Sequence, residues 1–363
     1  MSERDEQRRA FVESAGWRGA TIVSRPGDAS TRSYARVSLN GRKAMLMDQP
    51  QMAETPPASA DASPEERRAL GYNAVARLAG ADCARFVAVA DYLRGLGLSA
   101  PEIYAADCGQ GFVLIEDLGD DLYADVLTEG ADERALYEAA AEVLAAVHSG
   151  GAPADMSGKP LHAYDETALV AETDLMTEWF LPHALGRDAR PDEVAEHRAL
   201  WRDALAQMRD ASPVFVHRDY HAQNLLWLPS RRGVARVGLI DFQDAVAGAR
   251  SYDLISLIED ARRDVAPEIA DATARHYLDV TGLDEDAYRA QMAVMAAQRN
   301  AKIAGIFARL NKRDGKPRYL TYLPRVWGYL NKDLDHPALA GLKSWYDRTI
   351  PRDARGDAKG AGA

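Results

Sequence analysis

The sequence predicts an α+β chain with a small sheet-containing N-terminal lobe and a large helical C-terminal lobe. Three observations carry this. Short apolar runs bounded by turn residues occupy the first 115 or so positions, helical periodicity dominates beyond them, and one polar loop enclosed by two short strands interrupts the helical part. The chain has 363 residues, 47% hydrophobic and 27% charged, which is ordinary globular composition with length for two cores.

In the N-terminal part a short helix precedes two strand candidates, Tyr34 to Leu39 and Ala44 to Met47, joined across Asn40 and Gly41, the dipeptide that favours a tight hairpin. Pro50, Pro56, Pro57 and Pro64 make positions 49–64 a loop. Cys83 to Leu96 reads as a helix, with Phe86, Val87, Ala90, Leu93 and Leu96 at three- and four-residue steps. A strand pair follows Pro101 and ends at Ile115, where the apolar run gives way to Glu116 and Asp117. That change sets the expected boundary: residues 1–117 as a nucleotide-binding lobe with a hinge at its end, residues 118–363 as a catalytic and substrate lobe, with a frayed tail after Pro351. Leu136, Ala140, Val143, Leu144 and Val147 then give a helical stripe.

Charge and cysteine content exclude several classes. With 44 Lys and Arg against 55 Asp and Glu the net charge is −11, a poor field for binding nucleic acid. No run of about 18 uncharged apolar residues and no signal-like N-terminus occurs, so neither a membrane span nor export is expected, and the chain is expected to be cytoplasmic. Cys83 and Cys108 lie in no metal or disulfide pattern and are expected to be reduced packing residues. No repeat and no obligate protein partner is evident.

The chemistry lies in residues 214–242. His217, Asp219 and Asn224 are spaced HxDxxxxN, and Asp241 follows 17 residues after Asn224. Phosphoryl transfer requires Mg²⁺ on hard oxygen ligands, which Asn224 and Asp241 supply, and a carboxylate to orient the acceptor hydroxyl and take its proton, a role that fits Asp219. No glycine-rich phosphate motif appears. The turn at 27–33 offers Asp28, Ser30, Thr31 and Arg32 as a phosphate-covering loop instead.

This constellation resembles the catalytic and metal loops of the aminoglycoside phosphotransferase and choline kinase branch of the protein-kinase-like fold. The resemblance implies a bilobal fold, with ATP bound between the lobes and Mg²⁺ as the metal. By the same resemblance Asp219 is the base, His217 and Asp253 brace its loop, and the backbone from Glu116 to Leu118 meets adenine. The family's third-strand lysine has no counterpart at Met45 to Met47, which leaves Lys43 or an arginine of the earlier loop to contact the phosphates.

Segments at 27–34, 45–50, 116–119, 178–181, 298–310 and 313–317 are similar to one bacterial subfamily, with the likeness running from Gly27 to Leu330. Its members are kinases of N-acetylmuramate and N-acetylglucosamine in peptidoglycan recycling. That resemblance implies an amino sugar phosphorylated on its anomeric hydroxyl to the α-1-phosphate. The basic stretch from Arg299 to Arg325 suits a sugar carboxylate, with Arg299 and Lys302 as first candidates; Glu178 and Trp179, with Tyr322 or Trp327, suit the sugar ring. Two other readings stay open: Asp165, Asp174 and Glu178 can line a pocket for a cationic aminoglycoside or choline, and the missing lysine admits a non-catalytic nucleotide-binding regulator.

Overall fold

The computed structural model describes residues 2–25, 32–50, 57–208 and 212–356. They form two compact units: Met1–Asp132 with Pro153–His162 and Gln223–Val246, and Glu133–Ala152 with Ala163–Ala222 and Ala247–Ala363. No described helix is long and apolar enough to cross a membrane.

The first unit is built on an antiparallel sheet of β1 (Thr21–Ser24), β2 (Ser33–Leu39), β3 (Arg42–Asp48), β4 (Ile103–Asp107) and β5 (Phe112–Glu116), in the order β1-β2-β3-β5-β4. Asn40 and Gly41 join β2 to β3 with φ of 50° and 80°, the left-handed pair that a two-residue hairpin requires. Ala35, Val37, Ala44, Leu46, Phe112 and Leu114 alternate onto one face, where α1 (Glu3–Ser14) covers them with Phe11 and Val12, joined by Trp17 just beyond it. Each large side chain buried there contributes about 1.5–3 kcal/mol. Ser2 and Asp5 cap α1 reciprocally, and Arg8 fixes the helix to the buried Asp48 at 2.7 Å.

Lys43 is exposed and shares its face with Met45, one pleat earlier; Arg36 stands opposite Met45 and bonds Asp117 and Asp120. The short helices α2 (Pro64–Leu70) and α3 (Tyr72–Val75) lead to α4 (Cys83–Gly95), and α5 (Tyr123–Thr128) follows the sheet. The pair β6 (Asp155–Met156) and β7 (Lys159–Pro160) and the hairpin of β9 (Leu225–Trp227) and β10 (Val237–Leu239) complete the unit.

The expectation of reduced cysteines is corrected here. Cys83 opens α4 and Cys108 follows β4, and their packing brings the two Cα atoms to 5.4 Å, where the thiols are joined as a disulfide. A pairing across 25 residues depends on tertiary placement, which local spacing does not encode.

The second unit is mainly helical: α6 (Glu133–His148), α7 (Glu166–Leu175), α8 (Leu181–Leu185), α9 (Pro191–Ala206), α10 (Ser251–Ile258), α11 (Pro267–Thr281), α12 (Glu285–Asp314), α13 (Leu323–Asp333) and α14 (Ala340–Thr349), together with the strand β8 (Val214–Val216). The stripe of α6 from Leu136 to Val147 is buried, as its spacing predicts. An aromatic core joins Phe180 to Trp327 (5.1 Å) and His197 to Trp345 (4.6 Å). Gly305 of α12 lies against Leu175 so closely that an added Cβ would stand 2.5 Å from the Leu175 backbone. At that contact the chain leaves α7 through a wide π-helical turn, Met176–Phe180.

Candidate active site

In the first unit the β9–β10 hairpin places the metal-ligand candidates. Asn224 immediately precedes β9, Leu225 pairs with Leu239, and Asp241 follows two residues after that pair, so antiparallel register returns the chain to its starting point. Ile240 N–H donates to the Asn224 carbonyl at 3.2 Å, and the Asn224 amide lies 3.5 Å from Asp241 Oδ2. Gly238 has no room for a side chain, since an added Cβ would meet Leu226 at 3.1 Å and Leu118 at 3.3 Å.

Asp241 has φ of 64°, unusual for a residue with a Cβ, and its surroundings over-determine that conformation. Gln243 Nε2 donates to Asp241 Oδ1 at 3.1 Å, Arg32 stands at 3.2 Å, and Ala79 N–H holds Asp244 at 2.6 Å. The buried Arg85 of α4 donates Nε to the Gln243 carbonyl (3.0 Å) and Nη2 to the Ala245 carbonyl (2.6 Å), while Phe86 stacks on Phe242 at 4.8 Å. The Asp241 side chain keeps 42% exposure. An accessible carboxylate and a neighbouring carboxamide are residue types that carry the hard oxygen donors Mg²⁺ takes when nucleotide phosphates complete its shell. Asn224 faces Asp241 with its Nδ2, so the pair fits the metal with the amide turned to present its oxygen.

In the second unit β8 delivers the loop that carries Asp219. Asp253, in the first turn of α10, accepts N–H donors from His217 (2.6 Å) and Arg218 (2.9 Å). Burial pushes the Asp253 carboxyl up to about 7 against those two donors. Arg218 adopts φ of 77°, left-handed like Asp241. Asp219 N–H donates to His217 Nδ1 at 3.3 Å, and Tyr220 anchors the loop by donating its hydroxyl to Ala140 of α6 at 2.8 Å. From Val214 to Ala222 every residue is buried except Asp219, which is half-buried. A carboxylate fixed this way can orient a hydroxyl and accept its proton.

The other predicted residues fall in varied places. Asp28, Ser30 and Thr31 lie outside the described residues. Glu116 ends β5 and accepts from Arg231 at 2.6 Å; Leu118 packs over the β9–β10 hairpin. Glu178 is exposed and Trp179 half-buried on the π-helical turn. Trp327 is 2% exposed and belongs to the aromatic core. Asp165 caps α7 and Asp174 pairs with Arg198 at 2.8 Å.

Arg299 and Lys302 are both turned inward. Arg299 donates to the Glu259 carbonyl (3.1 Å) and Ser256 (2.9 Å), and Lys302 to Tyr252 (3.0 Å) and Glu172 (3.1 Å). Sequence reasoning missed Arg85, Arg218 and Glu172. Glu172 left one signal, a charged residue beside apolar positions on the buried side of α7, between Ala168 and Leu175.

Comparison with known proteins adds the following. The profile of the phosphotransferase enzyme family (APH) matches residues 21–291. The chain is 45% identical over 361 residues to an N-acetylmuramate/N-acetylglucosamine kinase of Caulobacter vibrioides, covering 98% of this chain and 99% of that one. It is 36% identical over 337 residues to a Pseudomonas aeruginosa protein of the same name, covering 89% and 87%. Among solved structures, the ADP-bound aminoglycoside phosphotransferase APH(2'')-Ib superposes with a TM-score of 0.55 at 14% identity, covering 94% of this chain and 99% of that one. A choline/ethanolamine kinase family protein from Mesorhizobium loti gives 0.55 at 14%, covering 94% and 98%.

Proposed function

The chain belongs to the phosphotransferase enzyme family and is an ATP-dependent phosphotransferase, and from that premise we propose that it is a sugar kinase acting on the anomeric C1 hydroxyl of N-acetylmuramate and N-acetylglucosamine. The product is the α-1-phosphate, returned to the cytoplasm's pool of recycled cell-wall sugars. The observation that carries the substrate is the 45% identity, over nearly the whole of both chains, with a kinase of that name.

In this reading Asp219 accepts a hydrogen bond from the C1 hydroxyl and then its proton as the hydroxyl oxygen bonds to the γ-phosphorus and the bond to ADP breaks. The buried loop around Asp219 removes the freedom that the carboxylate would otherwise lose at the transition state. Asn224 and Asp241 would hold Mg²⁺, which when bound neutralises phosphate charge. Arg32 contacts the phosphates, and the backbone at Glu116 to Leu118 receives adenine. Glu178 and Trp179 face the sugar.

The test is ³¹P NMR of reactions with Mg-ATP and, separately, N-acetylmuramate, N-acetylglucosamine, choline and kanamycin. A new phosphorus signal coupled to an anomeric proton with either amino sugar is the expected result. Phosphate on choline or kanamycin alone overturns the substrate, and no transfer to any acceptor overturns the kinase reading.

A further inference from the structure

Within the second unit, one buried carboxylate collects four donors from three separate segments, two of them from α12. Glu172 of α7 is fully buried. Its Oε1 faces Arg218 Nη2 and, at 3.1 Å, Lys302 Nζ; its Oε2 faces the Tyr164 hydroxyl and, at 3.2 Å, Gln298 Nε2. Lys302 also donates to Tyr252 at 3.0 Å, and Tyr252 is the residue before the loop-bracing Asp253. The Arg218 guanidinium lies over the Tyr164 ring at 4.8 Å.

A carboxylate in this position would be costly if its partners were not in place. Burial alone would raise the Glu172 carboxyl, yet Lys302 and Arg218 hold it below the ordinary glutamate range. Arg218 precedes Asp219 and sits in the left-handed region at φ 77°, a conformation that persists only where surrounding contacts enforce it. The backbone N–H of that residue is held by Asp253 and its side chain by Glu172, so the residue that leads into Asp219 is held at its backbone and at its side chain.

We infer that Glu172 is a positioning residue for phosphoryl transfer, acting through Arg218 to hold the peptide that presents Asp219, with no contact of its own to either substrate. This rests on Asp219 being the catalytic base, and it adds a residue from a distant helix to the machinery.

A double-mutant cycle in kcat tests it, using the full chain with Glu172→Gln, Arg218→Met and the two combined. The combined variant keeps the cluster's net charge, because it removes one charge of each sign. If Glu172 acts through Arg218, each single variant lowers kcat by about 10- to 100-fold, KM for ATP and for acceptor stays within about threefold, and the combined variant is no slower than either single one. Losses that multiply, a loss confined to KM, or kcat within twofold of wild type in a folded variant overturns the inference. Should Glu172→Gln alone fail to fold, equality between Arg218→Met and the combined variant carries the same decision. Ratios are taken to wild type on whichever acceptor it phosphorylates, or on ATP hydrolysis by water. Failure of the amino-sugar reading therefore shows in the wild type's acceptor profile, and failure of this inference shows in the ratios.

Discussion

Arg85→Met should loosen the loop that carries Asp241 by an amount that the geometry allows to be worked out. In the native protein the buried guanidinium donates to the carbonyls of Gln243 and Ala245 at 3.0 and 2.6 Å. Methionine keeps much of the aliphatic volume and donates nothing, so both carbonyls lose their charged partner. Each orphaned buried carbonyl costs about 1–3 kcal/mol, and no longer burying a guanidinium offsets part of the total, leaving about 2–4 kcal/mol. Because the loop carries Asp241 in a left-handed conformation, that cost falls on local opening of the segment from Asp241 to Ala245. Converted at 1.36 kcal/mol per tenfold, amide exchange over this segment should quicken by roughly 30- to 1000-fold. Hydrogen–deuterium exchange read by mass spectrometry on a peptide spanning 240–247 measures it, with a peptide from α6 as internal reference. Unchanged protection at 240–247 would refute the reasoning, and so would equal acceleration in both peptides, which would mean that the whole chain had loosened.

Three further perturbations have definite outcomes. Asp219→Ala should cut turnover by at least about a thousandfold while calorimetric ATP affinity changes only a few-fold, if the carboxylate acts on the acceptor as proposed. Acidification should destabilise the chain through His148 and His197, whose burial lowers both to about 3. The unfolded chain takes up their protons below about pH 6.5 and the folded chain does not until near pH 3, so moving from pH 7.5 to 5 costs about 2 kcal/mol for each. Urea unfolding of His197→Gln should show a correspondingly shallower pH dependence; an unchanged slope excludes His197 as a contributor. Replacing Cys83 and Cys108 by serine opens a loop of 25 residues and should lower stability by about 3 kcal/mol in the chain-entropy account, read as a lower unfolding midpoint that dithiothreitol no longer shifts.

Local chemistry made much of the fold legible. Asn40 and Gly41 announced the β2–β3 hairpin because few other residue pairs accept two left-handed conformations in succession, and the apolar spacing of α4 and α6 reflects one buried face apiece. The strand β1 escaped notice because it is an exposed edge strand with no alternation to read. The π-helical turn depends on how α7 meets α12, which no local preference encodes. At the site, the residue types and spacing of Asp219, Asn224 and Asp241 pointed to phosphoryl transfer, since few other chemistries ask for that set. Their supports were hidden for the opposite reason. Arg85, Glu172 and Arg218 work through partners far away in the chain, and an arginine or glutamate in a helix is ordinarily a solvated residue. Arg299 and Lys302 show the same limit: one helical step apart, they read as a pair facing an anionic ligand, whereas the fold turns both toward protein partners.

The contact at Gly305 bears on how this scaffold can be retuned. A methyl group there would have to displace the Leu175 backbone, the point from which the chain enters the turn carrying Glu178 and Trp179. The standoff of that turn is therefore set by a missing carbon atom on a neighbouring helix, remote in sequence from any group that performs chemistry. Swapping glycine for alanine at this one position would work like a shim beneath the turn. It offers protein engineers a way to move Glu178 and Trp179 together, and so to test the proposal that they face the acceptor, while Asp219, Asn224 and Asp241 keep their own sequence untouched.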